Sequence, residues 1–236
     1  MQFICGFIIV GFGIKIWWVH NPLGGLNIIL DNWTYFLVPI WVVLIMNVLN
    51  WFDGVDGLTP SVSLVTLVIL FFLSISPAVN QPSTALLCAI LAGSVLGFLP
   101  FNWNPAKIFL GDTGSGFLGL MIATFAIISG AKLATAFLVL GIPILDALVV
   151  IFSRLKNKKS IFSADKTHLH HRFLGAGFSV RQTVVVISLI SLAFGIVALK
   201  SETLGKVNAI LWLVAIMAII LLSLFLLAKR KSYERR

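Results

Sequence analysis

Eight long apolar runs, separated by short polar segments, make up most of this 236-residue chain. Hydrophobic residues form 59% of the sequence and charged residues only 11%, well below the roughly 25% of an average soluble domain. The runs approach or reach the length that a helix needs to cross a hydrocarbon core about 30 Å thick. They occupy residues 3–19, 35–52, 61–75, 83–100, 116–131, 133–151, 184–199 and 207–228. We therefore predict an all-α, polytopic transmembrane helix bundle of about eight spans, forming one domain over residues 1–236.

The distribution of basic residues predicts how these spans are oriented. With the amino terminus in the cytoplasm, 13 of the 17 Lys and Arg residues lie on the cytoplasmic side. They are Lys107 and the basic residues of 154–181 and 229–236, whereas Lys15, Lys132, Lys200 and Lys206 lie outside or near the outer end of a span. Because cytoplasmic loops carry an excess of Lys and Arg, this orientation is favoured. We expect a multi-pass protein of the inner (plasma) membrane, with its polar clusters in a cleft that faces the cytoplasm.

The net charge of +9 has two interpretations. A basic surface can bind nucleic acid. Here, however, the basic residues lie in short loops and a tail beside apolar runs, where orientation in the membrane and attraction to anionic lipid explain them. We therefore expect the lipid membrane, and no nucleic acid, as a partner. Cys5 and Cys88 both lie within apolar runs, so the sequence indicates no disulfide framework.

The first polar cluster, residues 47–57, places a polar side chain at every third position. Its members are Asn47, Asn50, Asp53 and Asp56. Where the span is still helical, the two asparagines lie close on one side, and Gly54 and Gly57 allow the backbone beyond them to unwind. Such a set can hydrogen-bond a sugar or a base, or hold a cation. The simpler alternative is a polar turn where the span leaves the membrane.

The second cluster joins a carboxylate to a predicted helix start. It contains Asn102 and Lys107 and continues as Gly-Asp-Thr-Gly-Ser-Gly over residues 111–116. We expect Thr113 or Ser115 to cap the following helix, so that free backbone N–H groups point at the cytoplasm and suit a phosphate. Asp112 would supply an oxygen ligand for Mg²⁺, which usually takes one or two carboxylates and shares the substrate's phosphates. An ordinary helix cap is the alternative.

The third cluster consists of His168, His170, His171 and Arg172. It has neither a nearby cysteine nor the spacing of a usual zinc site. Histidines beside basic residues serve equally well as hydrogen-bond donors to a pyrophosphate. The alternative is a solvated basic loop.

Asp146 lies inside a predicted span, three residues after Pro143. An acidic group at that depth needs a partner. Arg154, two turns further along the same span, or a loop residue such as His168 would provide one.

Together these segments resemble the polyprenyl-phosphate N-acetylhexosamine-1-phosphate transferases of glycosyltransferase family 4. The resemblance covers most of the chain and runs in order through four motifs. They read Asn47-x-x-Asn-x-x-Asp-Gly-x-Asp-Gly-Leu58, Pro105-Ala-x-Ile-Phe-x-Gly-Asp-Thr-Gly-Ser115, Pro143-Ile-x-Asp146 and Ala164-Asp-x-x-His-Leu-His-His-Arg172. The His-Leu-His-His-Arg sequence is more similar to the undecaprenyl-phosphate N-acetylglucosamine-1-phosphate branch than to the muramoyl-pentapeptide branch. The resemblance implies transfer of a sugar 1-phosphate from a UDP-sugar to a membrane polyprenyl phosphate, with release of UMP, in cell-envelope glycan biosynthesis.

The resemblance also implies roles for individual residues. Asp112 matches the Mg²⁺-binding aspartate, the first cluster matches the polar set on the nucleotide side, and the third matches the loop that grips the donor's diphosphate. The candidate catalytic residues are Asp112, Asp53, Asp56, His170 and His171, and the candidate substrate-binding residues are Asn47, Asn50, Asn102, Lys107, His168 and Arg172. This set suits phosphoryl transfer, which depends on charge neutralisation and positioning more than on covalent work by the protein.

The sequence departs from the family at one point. Family members carry an adjacent pair of aspartates on an earlier span, proposed to contact or deprotonate the polyprenyl phosphate, and this sequence contains no Asp-Asp dipeptide. We therefore interpret the chain as the carboxy-terminal two thirds of a typical member and expect it to be inactive, or nearly so, by itself. A second copy, as a homodimer, or a complementing amino-terminal segment would cover the apolar helix faces that the missing spans leave.

Two other classes of function stay open. One is a catalytically silent membrane protein that binds a lipid-linked sugar or phosphate, favoured by the missing aspartate pair and excluded by measurable UMP release. The other is a multi-span transporter, for which Asp146 and Pro143 give weak support. A transporter should show inverted halves in its hydropathy, and this sequence shows none.

Overall fold

A computed structural model describes residues 1–19, 21, 26–129, 133–158 and 168–234 of the chain, and for 203 and 228–234 only the path of the backbone. In these ranges the helices are α1 (Gln2–Gly11), α2 (Thr34–Phe52), α3 (Leu58–Ile75), α4 (Pro82–Asn102), α5 (Gly111–Ile128), α6 (Leu133–Val139), α7 (Gly141–Lys156), α8 (Leu169–Ala176), α9 (Val180–Lys200) and α10 (Thr203–Glu234). Strands β1 (Trp18–Val19) and β2 (Ile28–Ile29) form a short antiparallel hairpin, and a 3₁₀ turn at Asp31–Trp33 leads into α2. The predicted all-α membrane bundle is confirmed.

Six helices in the described ranges, α2 to α5, α9 and α10, are long and apolar enough to cross a membrane. Each corresponds to one of the eight predicted runs. The run at 133–151 corresponds to a seventh span only if α6 and α7 are counted together, since they meet at an angle of 77°. The break falls at Leu140, three residues before Pro143.

The run at 3–19 is not a continuous span. Helix α1 ends at Gly11, and ten residues rising 1.5 Å each cover only about half of the hydrocarbon core. The chain nevertheless follows α2 over most of its length. Gln2 hydrogen-bonds Asn47, a Cβ on Gly6 would lie 2.5 Å from Pro39 Cα, and the Ile16 N–H donates to Thr34 Oγ1 at 2.9 Å. The prediction of a first helical span is therefore wrong, because the second half of this run leaves the helical conformation.

The close crossing of α2 and α5 places the first two polar clusters side by side. A Cβ on Gly119 of α5 would lie 2.6 Å from Met46 Cα of α2, so that only glycine allows these backbones to approach. The helices are antiparallel, so one turn from this crossing Asn50 of α2 meets Ser115 of α5. Buried apolar residues on both sides of the crossing, including Ile45, Leu49 and Ile122, fix the two helices against each other.

Candidate active site

The second cluster begins a helix, but not in the predicted way. Helix α5 starts at Gly111, with Leu110 at the N-cap position and no side chain capping it, so the expectation that Thr113 or Ser115 caps the helix is wrong. Gly111 has a φ of 69°, which suits glycine where the chain turns into the helix. Asp112 thus lies in the first turn, where the positive end of the helix dipole stabilises a carboxylate.

Asn50 connects the first cluster to the second. Its Nδ2 group donates to Asp112 Oδ1 at 3.0 Å and to Ser115 Oγ at 3.1 Å. Ser115 is buried, and its hydroxyl lies 3.1 Å from the Gly111 carbonyl, to which it donates. Asp112 remains exposed. The site therefore presents a solvent-facing carboxylate whose one oxygen is fixed by a neighbouring helix.

Asp53 is the second acidic group here, at the carboxyl end of α2. Burial raises the pKa of Asp53 to about 6, the Asp112 charge adds to this rise, and the Thr59 hydroxyl opposes it. Since two like charges close together are costly, a cation or a proton at this point would relieve the repulsion. Among the described residues, no group of three or more His, Cys, Asp or Glu side chains forms a metal site.

Asp56 holds the loop between α4 and α5. Its Oδ2 atom accepts hydrogen bonds from Asn104 Nδ2 at 2.9 Å and from the Ala106 N–H at 3.0 Å. From the other side, Arg181 Nε donates to the Asn104 carbonyl at 2.8 Å. The geometry thus shows Asp56 as an anchor of the loop, and its predicted catalytic role stays a prediction.

Asn102 is buried and uses both ends of its amide in the same loop. Its Oδ1 atom accepts from the Gly57 N–H at 2.9 Å, and its Nδ2 group donates to the Ile108 carbonyl at 2.9 Å. Gly57 has a φ of 79° and lies against the Trp103 ring, which explains a glycine at this turn. Lys107 and Phe109, which follow in the loop, are exposed, Phe109 by 74%. Their side chains are therefore accessible to a ligand near Asp112.

The third cluster packs against the first. His170 is only 1% exposed, lies edge-on to Phe52, and comes so close to Gly54 that a Cβ there would lie 2.5 Å from its Cε1 atom. Burial lowers the pKa of His170 to about 3, and His171 and then His168 add to this effect. His170 is accordingly neutral at physiological pH and provides no positive charge. Its Nδ1 atom is buried and makes no hydrogen bond to the described residues.

The other members of this cluster lie in the same helical turn. The His171 ring is 4.3 Å from the His170 ring and, like Arg172, is partly exposed. His168 is the residue before α8, and its ring stacks parallel to that of His170 at 5.7 Å. His168 Nδ1 lies 2.8 Å from Asp146 Oδ2, so His168 is the partner that the intramembrane aspartate needed. Asp165 and Lys166 of the same motif lie outside the described residues.

Asn47 lies one turn from Asn50 on α2. Its Nδ2 group donates to Gln2 Oε1 at 2.7 Å and to the Val43 carbonyl at 2.8 Å. In this structure it therefore joins α1 to α2, and its substrate-binding role stays a prediction.

This arrangement brings the carboxylates and amides of the first two clusters together with the third cluster at one end of the bundle. We call the third cluster, His168 to Arg172, the histidine turn. The family model described as Glycosyl transferase family 4 matches residues 1–130, which is more than half of the chain. The chain belongs to glycosyl transferase family 4. The resemblance drawn from the motifs is thereby confirmed, since the matched region contains the first two clusters.

Curated relatives of this family 4 chain include enzymes named for different sugars. It is 37% identical over 205 residues to a probable undecaprenyl-phosphate N-acetylglucosaminyl 1-phosphate transferase of Bacillus subtilis, covering 84% of the chain and 57% of the relative. It is 36% identical over 215 residues to a decaprenyl-phosphate N-acetylglucosaminephosphotransferase of Mycobacterium leprae, covering 80% of the chain and 54% of the relative. A phospho-N-acetylmuramoyl-pentapeptide-transferase of Clostridium kluyveri is 38% identical over 195 residues, covering 77% of the chain and 60% of the relative. The chain thus spans somewhat more than half the length of these relatives.

Several residues of the site were missed by sequence reasoning. Ser115 ends the second motif and Asn104 directly precedes it, but their role depends on partners 48 or more positions away. Arg181 follows the third cluster and has no local signal that relates it to Asn104. Only the folded arrangement shows these contacts.

Proposed function

We propose that this family 4 chain carries the donor-binding side of an active site that transfers a hexosamine 1-phosphate from a UDP-sugar to a polyprenyl phosphate. An oxygen of the acceptor phosphate would bond to the sugar-bearing phosphorus of the donor, the bridging bond of the diphosphate would break, and UMP would leave. The observation that carries this proposal is the contact of the histidine turn with the loop of Asp53, beside the exposed carboxylate of Asp112.

The donor set at Asp112 fits a magnesium ion. The carboxylate of Asp112 is exposed, and its Oδ1 atom is fixed by Asn50. Asp53 lies near enough for its charge to interact with that of Asp112. Mg²⁺ is typically bound by one or two carboxylates together with substrate phosphates and water, so two are sufficient. When bound, the ion would neutralise charge on the diphosphate. His171 and Arg172 would donate hydrogen bonds to diphosphate oxygens, and Phe109 offers an exposed ring on which the nucleobase can stack.

A groove beside α7 suits the lipid acceptor. It has a volume of about 650 Å³ and is lined mainly by apolar side chains, with two basic residues. The apolar lining includes Leu148, Ile151 and Phe152, and the basic residues are Lys156 and Arg172. An isoprenoid chain along the apolar wall would place its phosphate near these cations, and Arg172 also belongs to the histidine turn. The groove would therefore bring the acceptor from the lipid to the edge of the site at Arg172.

We further propose that the sugar is N-acetylglucosamine and that the reaction starts a cell-envelope glycan. The His-Leu-His-His-Arg sequence supports this choice, as do the names of the Bacillus and Mycobacterium relatives. The sequence identity to the muramoyl-pentapeptide transferase is about as high. UDP-N-acetylglucosamine and the UDP-muramoyl-pentapeptide donor should therefore be compared directly.

The direct test is formation of a radiolabelled lipid product from UDP-N-acetylglucosamine, polyprenyl phosphate and Mg²⁺ in detergent. The chain is assayed alone and joined to an upstream segment that carries an Asp-Asp pair. We expect robust product and UMP release from the joined protein. Binding of the donor without any UMP release in either form would instead support the catalytically silent alternative.

The site should face the cytoplasm of a bacterial inner membrane, because the predicted cytoplasmic loops and tail carry 13 of the 17 Lys and Arg residues. Single cysteines are placed at Thr113 and Asn157, which are exposed, in a variant lacking Cys5 and Cys88. A membrane-impermeant reagent added to intact cells should leave both unmodified and should label Glu202→Cys at the opposite end. Labelling of Thr113→Cys and Asn157→Cys from outside would reverse the orientation.

A further inference from the structure

Asp146 is a buried carboxylate that contacts the histidine turn from a different helix. It belongs to α7, is 2% exposed, and lies 22 positions before His168 in the sequence. Its two oxygens have different partners. Oδ2 accepts from His168 Nδ1 at 2.8 Å, and Oδ1 accepts from the Leu169 N–H at 2.7 Å. One side chain therefore holds both the residue before α8 and the first residue of α8.

The bond to Leu169 fixes the start of α8. The first N–H groups of a helix have no partner within it, and α8 has no side-chain cap of its own. Asp146 satisfies one of these groups from α7, and a negative charge at this end is also favoured by the helix dipole. Since His170, His171 and Arg172 occupy the first turn of α8, this contact fixes the position from which they act.

The bond to His168 fixes the tautomer of its ring. A carboxylate only accepts hydrogen bonds, so the proton between the two groups belongs to His168 Nδ1. His168 is 8% exposed, and its ring stacks parallel to that of His170, which itself packs on Gly54. Asp146 thus orients His168, His168 supports His170, and His170 contacts the aspartate loop of the first cluster.

We propose that Asp146 is a positioning residue, which acts through His168 and the start of α8 to hold the histidine turn in place for the donor diphosphate. This inference rests on the proposed function for the identity of the ligand. It goes beyond that function by assigning a role to a carboxylate that need not touch the substrate.

The first arm of the test requires no substrate. The protein is labelled with ¹⁵N at its histidines, and the ring-nitrogen signals are recorded in detergent micelles near neutral pH. His168→Asn identifies the signals of His168. We expect His168 to carry its proton on Nδ1 in the unsubstituted protein and on Nε2 in Asp146→Asn, because the new amide can donate to Nδ1. The control Asp31→Asn, at the opposite end of the bundle, should leave the spectrum unchanged. An Nε2-protonated His168 in the unsubstituted protein, or an unchanged tautomer in Asp146→Asn, would overturn the proposal.

The second arm measures the affinity for UDP-N-acetylglucosamine by calorimetry. Asp146→Asn and His168→Gln should each weaken binding by about 10- to 100-fold, the loss that is typical when a group that orients a metal-binding side chain is removed. Since both act through one contact, the double variant should lose little more than either single variant. Losses that multiply would show that Asp146 acts independently of His168 and would also overturn the proposal.

A matched pair of substitutions covers the case in which Asp146→Asn does not fold. His168→Asn keeps a donor at the position of Nδ1, whereas His168→Gln moves the amide away from Asp146. Both variants lose the ring that stacks on His170, but we expect His168→Asn to retain more thermal stability than His168→Gln, and equal behaviour of the two would contradict the proposal. If the protein joined to the upstream segment neither binds the donor nor forms product while the tautomer result holds, the proposed function fails and the contact of Asp146 with His168 stands.

Discussion

The contact between Gly54 and His170 offers the most direct test of how the clusters depend on each other. In Gly54→Ala the new Cβ would lie 2.5 Å from His170 Cε1 and closer still to Nε2, whereas ordinary contact begins at 3.4 Å. The ring must therefore move by about 1 Å, or the backbone of the aspartate loop must move instead. His170 is buried between Phe52 and the two neighbouring histidine rings, so it has little room to yield.

Either movement is costly. Forcing an extra methyl group into a packed contact typically costs about 1–3 kcal/mol. Widening an active site by about 1 Å can reduce the rate on the order of 100-fold. We expect Gly54→Ala to lower the midpoint of thermal unfolding in detergent, to weaken donor binding and, in the protein joined to the upstream segment, to reduce UMP release by about that factor. The backbone adds no further strain, because Gly54 is not among the glycines with positive φ.

Two further variants separate this steric effect from other causes. Gly175→Ala lies in α8, the helix of His170, and its Cβ would meet nothing within 4 Å, so it should leave stability and activity unchanged or slightly improve stability. The double variant Gly54→Ala with His170→Ala makes room for the methyl group and should recover part of the stability that Gly54→Ala loses. If Gly54→Ala behaved like Gly175→Ala in unfolding and in donor binding, our description of this contact would be refuted.

Three other substitutions test separate parts of the site. Asp112→Asn keeps an oxygen for Asn50 but loses the charge, so in the protein joined to the upstream segment the rate of UMP release should fall by orders of magnitude and its dependence on Mg²⁺ should weaken. Asp56→Ala leaves the Ala106 N–H without its acceptor and should cost about 1–3 kcal/mol, seen as a lower unfolding midpoint, while near-normal stability would count against its anchoring role. Because the pKa of His170 is lowered from 6.5 to about 3, its contribution to stability is complete above pH 6.5 and is lost progressively as the pH falls toward 3. Unfolding midpoints recorded against pH should therefore fall more steeply for the unsubstituted protein than for His170→Phe, and parallel curves would show that His170 is not buried in its neutral form.

Hydropathy and charge predicted most of the bundle, because both are local properties of the sequence. Six of the eight runs form the expected long helices, and the three polar clusters meet at one end. The exceptions are breaks in the helical conformation. After Gly11 the chain turns extended beside α2, and at Leu140 it bends by 77°, although the residues around both points remain apolar. Hydropathy reports where a segment lies and not which backbone conformation it adopts there.

Individual roles in the site were harder to predict, because they depend on contacts between distant segments. The sequence Gly-Asp-Thr-Gly-Ser-Gly has the composition of a loop, yet it forms the first turns of α5, where the Ser115 hydroxyl bonds to Asn50 and the preceding turn. Asp56 and Asn102 have the residue types of ligands, but in the structure they hold the loop before α5. The family motifs contain these positions but carry no information about their partners in the fold.

The second and third clusters are each held in place by residues of the first. Asn50 of the first fixes Asp112 of the second, Asp56 of the first fixes the loop before α5, and Gly54 of the first provides the surface on which His170 of the third packs. A substitution in one cluster should therefore displace groups in another, so the effects of substitutions across clusters should not add. The loss of activity caused by removing any one carboxylate therefore has two parts: the displacement of groups in the other clusters and the loss of that carboxylate's own chemistry. Only variants that keep the hydrogen bond and change the charge, such as Asp112→Asn, separate the two.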